Sequence, residues 1–559
     1  MFRRRSSWLC APSKELARLR WFSYTERISS RRALDHAAWS TWQPKCTDPV
    51  PGLALTSHRC FAAAVPKLWE AHVHGRPADE PSDILEDLSE VDKALAGIHP
   101  DEDEDADADV DDDPRKPGDL ARHMWKCARK NVRSEEVWSR LTQRVLTTSP
   151  FLSPGDVSLM FFAYGKIKYR DLKVLEMMSP YLLRHIDKFT TTQLALLLNA
   201  HKRLEYERLD SIHLVLMVLC NRFEEWSPAD VSVMANAVAY YYIYKPKFWS
   251  LVAKWLALHV FEMNPLQLTM VVSAMARVDR RHRHSLVLLA RACRRCAARN
   301  LFNQATLATA FNAFAKLDFN NVRLVKAFED AAEEKLDRAL EMGPSYRASN
   351  LWGVDVFDVQ ALVRLLHSMV CVVGTSDEIA LKLLTLISWS TKEVNDYQRR
   401  VLKIVSIVLR KSHGNFYETL GRDIKEALYV IHNTSVEVTT FESRWVRELK
   451  RVLEKMNIDV QLKPLVDDQV LDLLLPASQA AVCTVGPYGY YAGTTHRTAY
   501  SKLHQRLLEM SGYSALVVPY YEWSELKTEE DKMVYLWSLG RRAAAAKATG
   551  ERMHFDSEP

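Results

Sequence analysis

From Leu120 onward, apolar residues recur with helical spacing, and the same pattern returns at a fixed interval along the chain. Five similar segments begin at Ser153, Thr190, Ser227, Asn264 and Asn303. Two aligned columns are the aliphatic residues Val157, Leu194, Val231, Leu268 and Leu307 and the alanines Ala163, Ala200, Ala237, Ala274 and Ala313. Successive members lie 37, 37, 37 and 39 residues apart. Such a period predicts a helical-repeat protein.

Each repeat has the features of a helical hairpin. It opens on a residue whose side-chain oxygen can cap a helix, often followed by proline in the first turn, as in Ser153-Pro154 and Ser227-Pro228. A helix of about 14 residues follows, then a polar break and a second helix such as Leu172–His185. A single hairpin cannot bury its apolar stripe, so the pattern predicts stacking into an α-solenoid.

The register of the repeats weakens after residue 339, but amphipathic helices continue. They are predicted at 358–369, 399–411, 422–431 and 441–456, so we expect the solenoid to reach about residue 456. Beyond it, short strands are predicted at 470–475, 480–485 and 515–519, and helices at 498–510 and 529–539. The sequence therefore predicts a mainly α protein that ends in a small α/β module.

Composition narrows the possible functions. Only 17 of the 559 residues are glycine, about 3% against a usual share of about 7%. Neither GxxxxGK[ST] nor GxGxxG occurs, which argues against a standard nucleotide-binding enzyme. No apolar stretch reaches the length of a membrane helix, so no membrane insertion is expected.

The net charge of +5 hides a strong asymmetry. Residues 101–113 carry ten acids, so the rest of the chain sums to +15. A basic body suits a polyanionic partner. We interpret the acidic tract as a solvated linker, with an internal mimic of nucleic acid as the alternative.

The nine cysteines are widely spaced and odd in number, which indicates a reducing compartment rather than a disulfide framework. Cys293 and Cys296 form the only CxxC, in a helical, arginine-rich stretch. A structural zinc site needs four ligands, and no second pair is evident. We therefore expect no metal site and no cofactor.

The first 32 residues carry nine arginines and lysines against Glu15 and Glu26, with serine and large apolar residues between them. This composition is typical of an organellar transit peptide. Arg20-Trp21-Phe22-Ser23 resembles a mitochondrial processing site with its cut after Phe22. We expect a mitochondrial matrix protein, in preference to a plastid one; a merely basic terminus is the alternative.

Two sets of residues in the repeats are candidate RNA contacts. A column at the end of each first helix comprises Lys166, Arg203, Tyr240, Arg277 and Lys316. Such a row suits a phosphate backbone with an occasional stacked base, although cations at helix C-termini are also favoured by the helix dipole. The neighbouring column, with Asn199, Asn236 and Asn312, fits buried hydrogen bonding between repeats better than base reading.

The densest basic segment spans 277–299 and holds eight arginines against one acid, Asp279. Within it we single out Arg281, Arg291, Arg294 and Arg295 as phosphate contacts. A protein partner for the same segment is the alternative.

The C-terminal segment resembles the RAP domain. The resemblance rests on 507–513 (LLEMSGY), the segment 517–526 (VVPYYEWSEL), Lys532 and Tyr535-Leu536, and it covers about residues 468–540. The repeats resemble the heptatricopeptide repeats that commonly precede RAP domains. The resemblance implies an organellar RNA-binding factor with a fold related to restriction endonucleases, often acting on ribosomal RNA.

That relationship raises the question of nuclease chemistry. Asp472 stands where the family's first acid is expected, but the Glu-x-Asp-Gly-Pro of the next strand is replaced by Cys483-Thr484-Val485-Gly486-Pro487. One carboxylate cannot assemble a metal site, so we expect no catalysis. The loop with Tyr490 and Arg497 suits stacking on nucleic acid instead, whereas Trp523 is expected to be a core anchor.

The resulting domain prediction is a transit peptide at 1–39, a disordered acidic linker at 40–119, the solenoid at 120–456, the RAP domain at 468–540 and a flexible tail at 541–559. The expected function is binding, stabilisation or guided processing of organellar RNA, in the first place ribosomal RNA. The alternatives are a structural component of the mitochondrial ribosome, which would add ribosomal proteins as partners, a metal-dependent ribonuclease, and a protein–protein scaffold.

Overall fold

The structure is a computed structural model that describes residues 117–243, 245–344, 357–372, 376–434, 443–466 and 469–549. The predicted transit peptide, the acidic tract and the last ten residues lie outside these ranges. Within them the protein is mainly α-helical, as the periodicity predicts. No helix of this described part is both long and apolar enough to cross a membrane.

The described chain opens with stacked helical hairpins. The first helices of the hairpins are α1 Pro117–Arg129, α3 Pro154–Ile167, α5 Thr191–Arg203, α7 Pro228–Tyr240, α9 Pro265–Arg277, α11 Gln304–Lys316, α13 Val359–Cys371 and α15 Asp396–Ser412. The second helices are α2 Glu135–Thr148, α4 Leu172–His185, α6 Leu209–Asn221, α8 Pro246–His259, α10 Arg283–Ala297, α12 Val322–Glu341, α14 Asp377–Trp389 and, after the short α16 Gly414–Thr419, α17 Arg422–Asn433. First helices pack on first helices and second helices on second helices, which makes two layers.

The helix boundaries follow from local chemistry. Reciprocal capping boxes start α3, α5, α7 and α9, because the side chains of Ser153, Thr190, Ser227 and Asn264 each accept the backbone N–H three residues on. The turns after the first helices α3, α5, α7, α9 and α11 each contain a residue with positive φ, in order Lys168, Glu205, Tyr242, Asp279 and Asp318. These residues repeat at the intervals of the sequence period, and the left-handed turn reverses the chain into the second helix.

The first helices inside the array are buried nearly all round. From Leu194 to Arg203 every residue of α5 is buried, and the same holds from Asp230 to Ala239 in α7. A helix enclosed in this way can be apolar on every face. The alanine column lies fully inside, where its small side chains permit close helix packing.

The C-terminal module is built on a four-stranded sheet. The module has six described strands, of which four form this sheet: β1 Gln461–Leu462, β2 Leu465–Val466, β3 Gln469–Val470, β4 Leu473–Leu475, β5 Ala480–Val485 and β6 Ser514–Pro519. The sheet order is β1-β4-β5-β6, with β5 and β6 parallel and the other pairs antiparallel. Strands β2 and β3 form a separate hairpin.

Helices cover both faces of the sheet. On one face, α19 Ala499–Met510 packs through Leu508 on Ala481 and Ala515. On the other face lie α18 Arg444–Lys455, α20 Tyr520–Glu525 and α21 Glu529–Thr549. Their buried residues share one core with Leu473, Val482 and Val518.

Two elements differ from the sequence prediction. Helix α18, predicted as the last solenoid helix, contributes Val446, Leu449 and Val452 to the core of the C-terminal module instead. An amphipathic stripe shows that a helix is buried on one side, but not which partner buries it. Helix α21 continues to Thr549, through residues predicted as a flexible tail. Alanine has the highest helix propensity of all residues, and the alanine-rich segment lets the helix extend past the last core residue, Leu539.

Candidate nucleic-acid interface

Helix α10 carries the predicted arginine cluster on the outer side of the second layer. Arg283, Arg291, Arg295 and Arg299 are exposed and Arg294 is half-buried. None of these five guanidinium groups forms an ion pair with a carboxylate of the described chain. The surface is therefore strongly positive and not neutralised from within.

The helix dipole does not explain this cluster. Cations in the last turn, such as Arg294 and Arg295, are favoured by the dipole. Arg283, however, lies in the first turn, where the dipole disfavours a cation, and Arg291 lies more than a turn before the end. A binding role accounts for their positions better than helix stability does.

Apolar side chains border the arginines on the adjacent repeat. The guanidinium of Arg295 lies 5.0 Å from the ring centroid of Phe261, which is half exposed. Leu258, at the end of α8, and Leu301, after α10, are also exposed. An aromatic ring beside cations can stack on an unpaired base. Phe261 was not predictable from the sequence, because its exposure depends on the packing of α8 against α10.

The predicted row at the ends of the first helices forms, but its members differ in environment. Lys166 lies 4.9 Å from the ring centroid of Trp125, and Lys202 lies 5.9 Å from that of Tyr240. Arg203 is buried, with its Cβ close to Gly165 of the preceding repeat. Lys166, Tyr240, Arg277 and Lys316 are partly exposed. The tight stacking of first helices thus places Arg203 inside the layer instead of on the edge.

The C-terminal module docks on this edge and covers part of the row. The hydroxyl of Tyr491 donates to the carbonyl oxygen of Lys316 at 2.7 Å, and the amide of Ala492 donates to the carbonyl oxygen of Asp279 at 2.8 Å. Lys502 pairs with Asp318 at 3.0 Å. Farther along, Leu503 and Leu507 of α19 pack on Ile407 and Val408 of α15.

Arg281 belongs to the same interface. Its Nε donates to the carbonyl oxygen of Leu317 at 3.1 Å, and its guanidinium lies 5.8 Å from the ring centroid of Tyr491. Arg281 therefore joins two repeats to the C-terminal module. Of the arginines singled out from the sequence, Arg291, Arg294 and Arg295 stay clear of this contact.

The loop expected to stack on nucleic acid is largely internal. Tyr490 and Tyr491 are buried, and Tyr490 packs edge-on against Tyr520 and Tyr521 at 5.7 and 5.4 Å between ring centroids. Arg497 is buried too and donates to Gln505 Oε1 at 2.5 Å. The loop bends inward at Gly489, where a Cβ would collide with Cγ1 of Val485. The expectation that Tyr490 and Arg497 face RNA is not met in this conformation, because the loop fills the space between sheet and repeats.

The residues that carry the RAP resemblance form one structural network. Glu448 of α18 accepts a hydrogen bond from Lys532 Nζ at 2.7 Å and from the indole of Trp523 at 3.4 Å. The hydroxyl of Tyr535 donates to Glu522 at 2.7 Å. Trp523 is buried, as expected for a core anchor. Glu448 lies before the segment of resemblance and was therefore not among the residues predicted from the sequence.

Asp472, the one acid expected from the resemblance, is engaged in structural hydrogen bonds. Asp472 accepts the backbone N–H of Thr484 at 2.9 Å, the Thr484 hydroxyl at 2.5 Å and Lys463 Nζ at 2.8 Å. No cluster of three or more metal-ligating side chains occurs among the described residues. Cys293 is fully buried, which raises the pKa of its thiol.

Fold and sequence together define a helical-repeat protein that ends in a RAP domain. Residues 482–539 match the family model of the RAP domain, and residues 119–337 match that of the RNA-editing substrate-binding complex 6 protein. No curated protein matches the chain significantly. The two family matches support an RNA-binding role.

Proposed function

We propose that this protein is a mitochondrial RNA-binding factor that binds, stabilises or guides the processing of organellar RNA, in the first place ribosomal RNA, without cleaving it. The observation that carries the proposal is the set of exposed arginines on and just after α10, which no carboxylate of the described residues neutralises. RNA phosphates supply the missing negative charge. The two matched families and the basic N-terminus support the RNA ligand and the compartment, respectively.

The RNA path proposed here runs over the outer side of α8 and α10. Arg291, Arg294, Arg295 and Arg299 contact phosphates, and Phe261 offers a face for an unpaired base. Lys166, Tyr240 and Arg277 remain secondary candidates on the edge of the first helices. The lack of catalysis in this proposal is supported by Asp472, whose carboxylate is already engaged by Thr484 and Lys463.

The salt dependence of RNA binding tests the arginine cluster. Each phosphate contact on a single strand contributes about 0.7 to the slope of log K against log salt. Replacing Arg291, Arg294 and Arg295 by alanine should therefore reduce the slope for an unstructured RNA oligonucleotide by about 2. The measurement is fluorescence anisotropy over a salt series.

A matched triple variant serves as control. Arg140, Arg184 and Arg422 are also exposed but lie on separate helices, so their replacement by alanine should lower the slope far less. Equal slopes for the two triple variants would remove α10 from the interface. Crosslinking in isolated mitochondria, followed by sequencing, identifies the bound RNA, and recovery of none above background would overturn the proposed function.

A further inference from the structure

The outer face of α21 carries a short stripe that its own chain leaves exposed. The stripe comprises Glu530, Val534, Trp537 and Arg541. The spacing of four, three and four residues places them on one side of the helix. Val534 is 66% exposed and Trp537 is 58% exposed, although Leu536 and Leu539 on the opposite side are buried in the core. Two large apolar side chains in solvent on a regular helix indicate a contact surface.

The stripe is symmetric along the helix. The midpoint between Val534 and Trp537 falls between residues 535 and 536, and the midpoint between Glu530 and Arg541 falls at the same place. An acid thus lies as far from the centre on one side as a base lies on the other. When two copies of such a helix lie antiparallel with their centres aligned, each charge faces the opposite charge of the other copy and each apolar residue faces an apolar residue.

We propose that a second copy of this chain docks on this stripe, with the two α21 helices antiparallel across a two-fold axis. Glu530 of each copy then pairs with Arg541 of the other, and Val534 packs on Trp537 twice. This is the self-complementary pattern of an isologous dimer. The proposal is independent of RNA binding.

The present contacts of the stripe are compatible with this arrangement. The guanidinium of Arg541 lies 4.9 Å from the ring centroid of its own Trp537, so it is held beside the apolar pair. Neither Glu530 nor Arg541 forms an ion pair with another described residue. The charges that would meet across the axis are therefore available.

The length of the stripe sets the strength of the contact. From Glu530 to Arg541 the helix rises about 17 Å, which gives an interface at the small end of specific ones. We therefore expect a monomer–dimer equilibrium that depends on concentration, not a permanent dimer.

A charge-swap experiment on the full chain tests the proposal by sedimentation velocity. Glu530→Arg alone and Arg541→Glu alone each place like charges together twice, and each should weaken dimerisation by about tenfold or more. An equimolar mixture of the two variants should form a mixed dimer, because each charge again faces its opposite. Trp537→Ala should also reduce dimerisation, with helix content unchanged by circular dichroism.

Tyr429→Ala is the matched control, since Tyr429 is an exposed aromatic residue on α17, and it should leave the dimer intact. A wild-type chain that stays monomeric at every accessible concentration would overturn the proposal. So would a mixture of the two charge variants that fails to associate. If Trp537→Ala weakens binding of an RNA oligonucleotide but leaves the sedimenting mass of the protein unchanged, the stripe is an RNA contact and the proposed dimer is wrong.

Discussion

At the scale of single residues, Asp279 is an ionisable group of the docking interface with a strongly raised pKa. It follows α9 in a left-handed conformation, with φ of 51°, and its carbonyl oxygen accepts the amide of Ala492. Burial raises the pKa of Asp279 to about 7, against a smaller lowering effect of Lys316. At a pH between about 4 and about 7, the carboxyl group of Asp279 is therefore neutral in the folded chain but charged in the unfolded chain.

The sign of the resulting pH dependence follows from linkage. The folded chain holds this proton more tightly than the unfolded chain does. Asp279 therefore lowers stability progressively as the pH rises from about 4, the pKa of the unfolded chain, to about 7, the pKa of the folded chain. We expect Asp279→Asn, which cannot ionise and tolerates the left-handed turn, to be more stable than wild type at about pH 8. The difference should shrink at about pH 5. Thermal unfolding at both pH values measures it.

Asp187→Asn controls for a general effect of removing a negative charge, since Asp187 is exposed. A stability gain of Asp279→Asn that is independent of pH would contradict the assigned protonation.

The burial of individual side chains was the least predictable property. The sequence spacing of Arg203 and Tyr240 correctly indicates equivalent helix ends, yet Arg203 is buried and Tyr240 is partly exposed. Tyr490 and Arg497 lie in a polar, glycine-containing loop, which is usually exposed. Their burial results from packing within the C-terminal module, because Tyr490 lies against Tyr520 and Tyr521 and Arg497 bonds Gln505. These contacts depend on the tertiary fold, which the local pattern cannot reveal.

At the scale of elements, the helices of the repeats were predictable because local signals agree with one another. Capping residues, helical periodicity and the alanine column all indicate the same boundaries, and α9 begins at Pro265, next to its predicted cap Asn264. Helix α18 shows the limit of this reasoning. Its stripe was evident, but its partner is the sheet that follows it, not the repeat that precedes it.

Glu448 is expected to anchor α18 to the RAP domain. Hydrogen bonds from Lys532 and Trp523 outweigh the opposing effect of burial and lower the pKa of Glu448. Its contribution to stability is therefore present above the ordinary pKa of a glutamate and is lost as pH falls through the lowered value. The side chain is 34% exposed, so Glu448→Gln should cost only about 1 kcal/mol at neutral pH. Urea unfolding measures this loss.

Glu454→Gln on the same helix is the comparison, since Glu454 is largely exposed and approaches Lys450 only at 3.6 Å. Equal stability of the Glu448 variant and wild type would show that the network does not hold α18 in place.

At the scale of the whole described chain, the RAP domain and the repeats are joined by a continuous interface. Polar contacts at Asp279, Lys316 and Asp318 are followed by apolar packing of Leu503 and Leu507 on α15. We expect Leu503→Asp to bury a charge at this contact and to separate the two parts. Differential scanning calorimetry should then resolve two unfolding transitions where the wild type has one.

Leu465→Asp is the control, because Leu465 belongs to the same C-terminal module but is 63% exposed. One transition for both variants would mean that docking does not couple the RAP domain to the repeats.

The docked RAP domain also has a mechanical consequence. In an array of stacked repeats each unit contacts only its neighbours, so an unbraced array can bend along its whole length. Here one module contacts the ends of α9, α11, α13 and α15 together, as a splint does. We therefore expect the array to bend mainly in the hairpins before α9, so that an elongated ligand would be accommodated there while the spacing of the later repeats stays fixed.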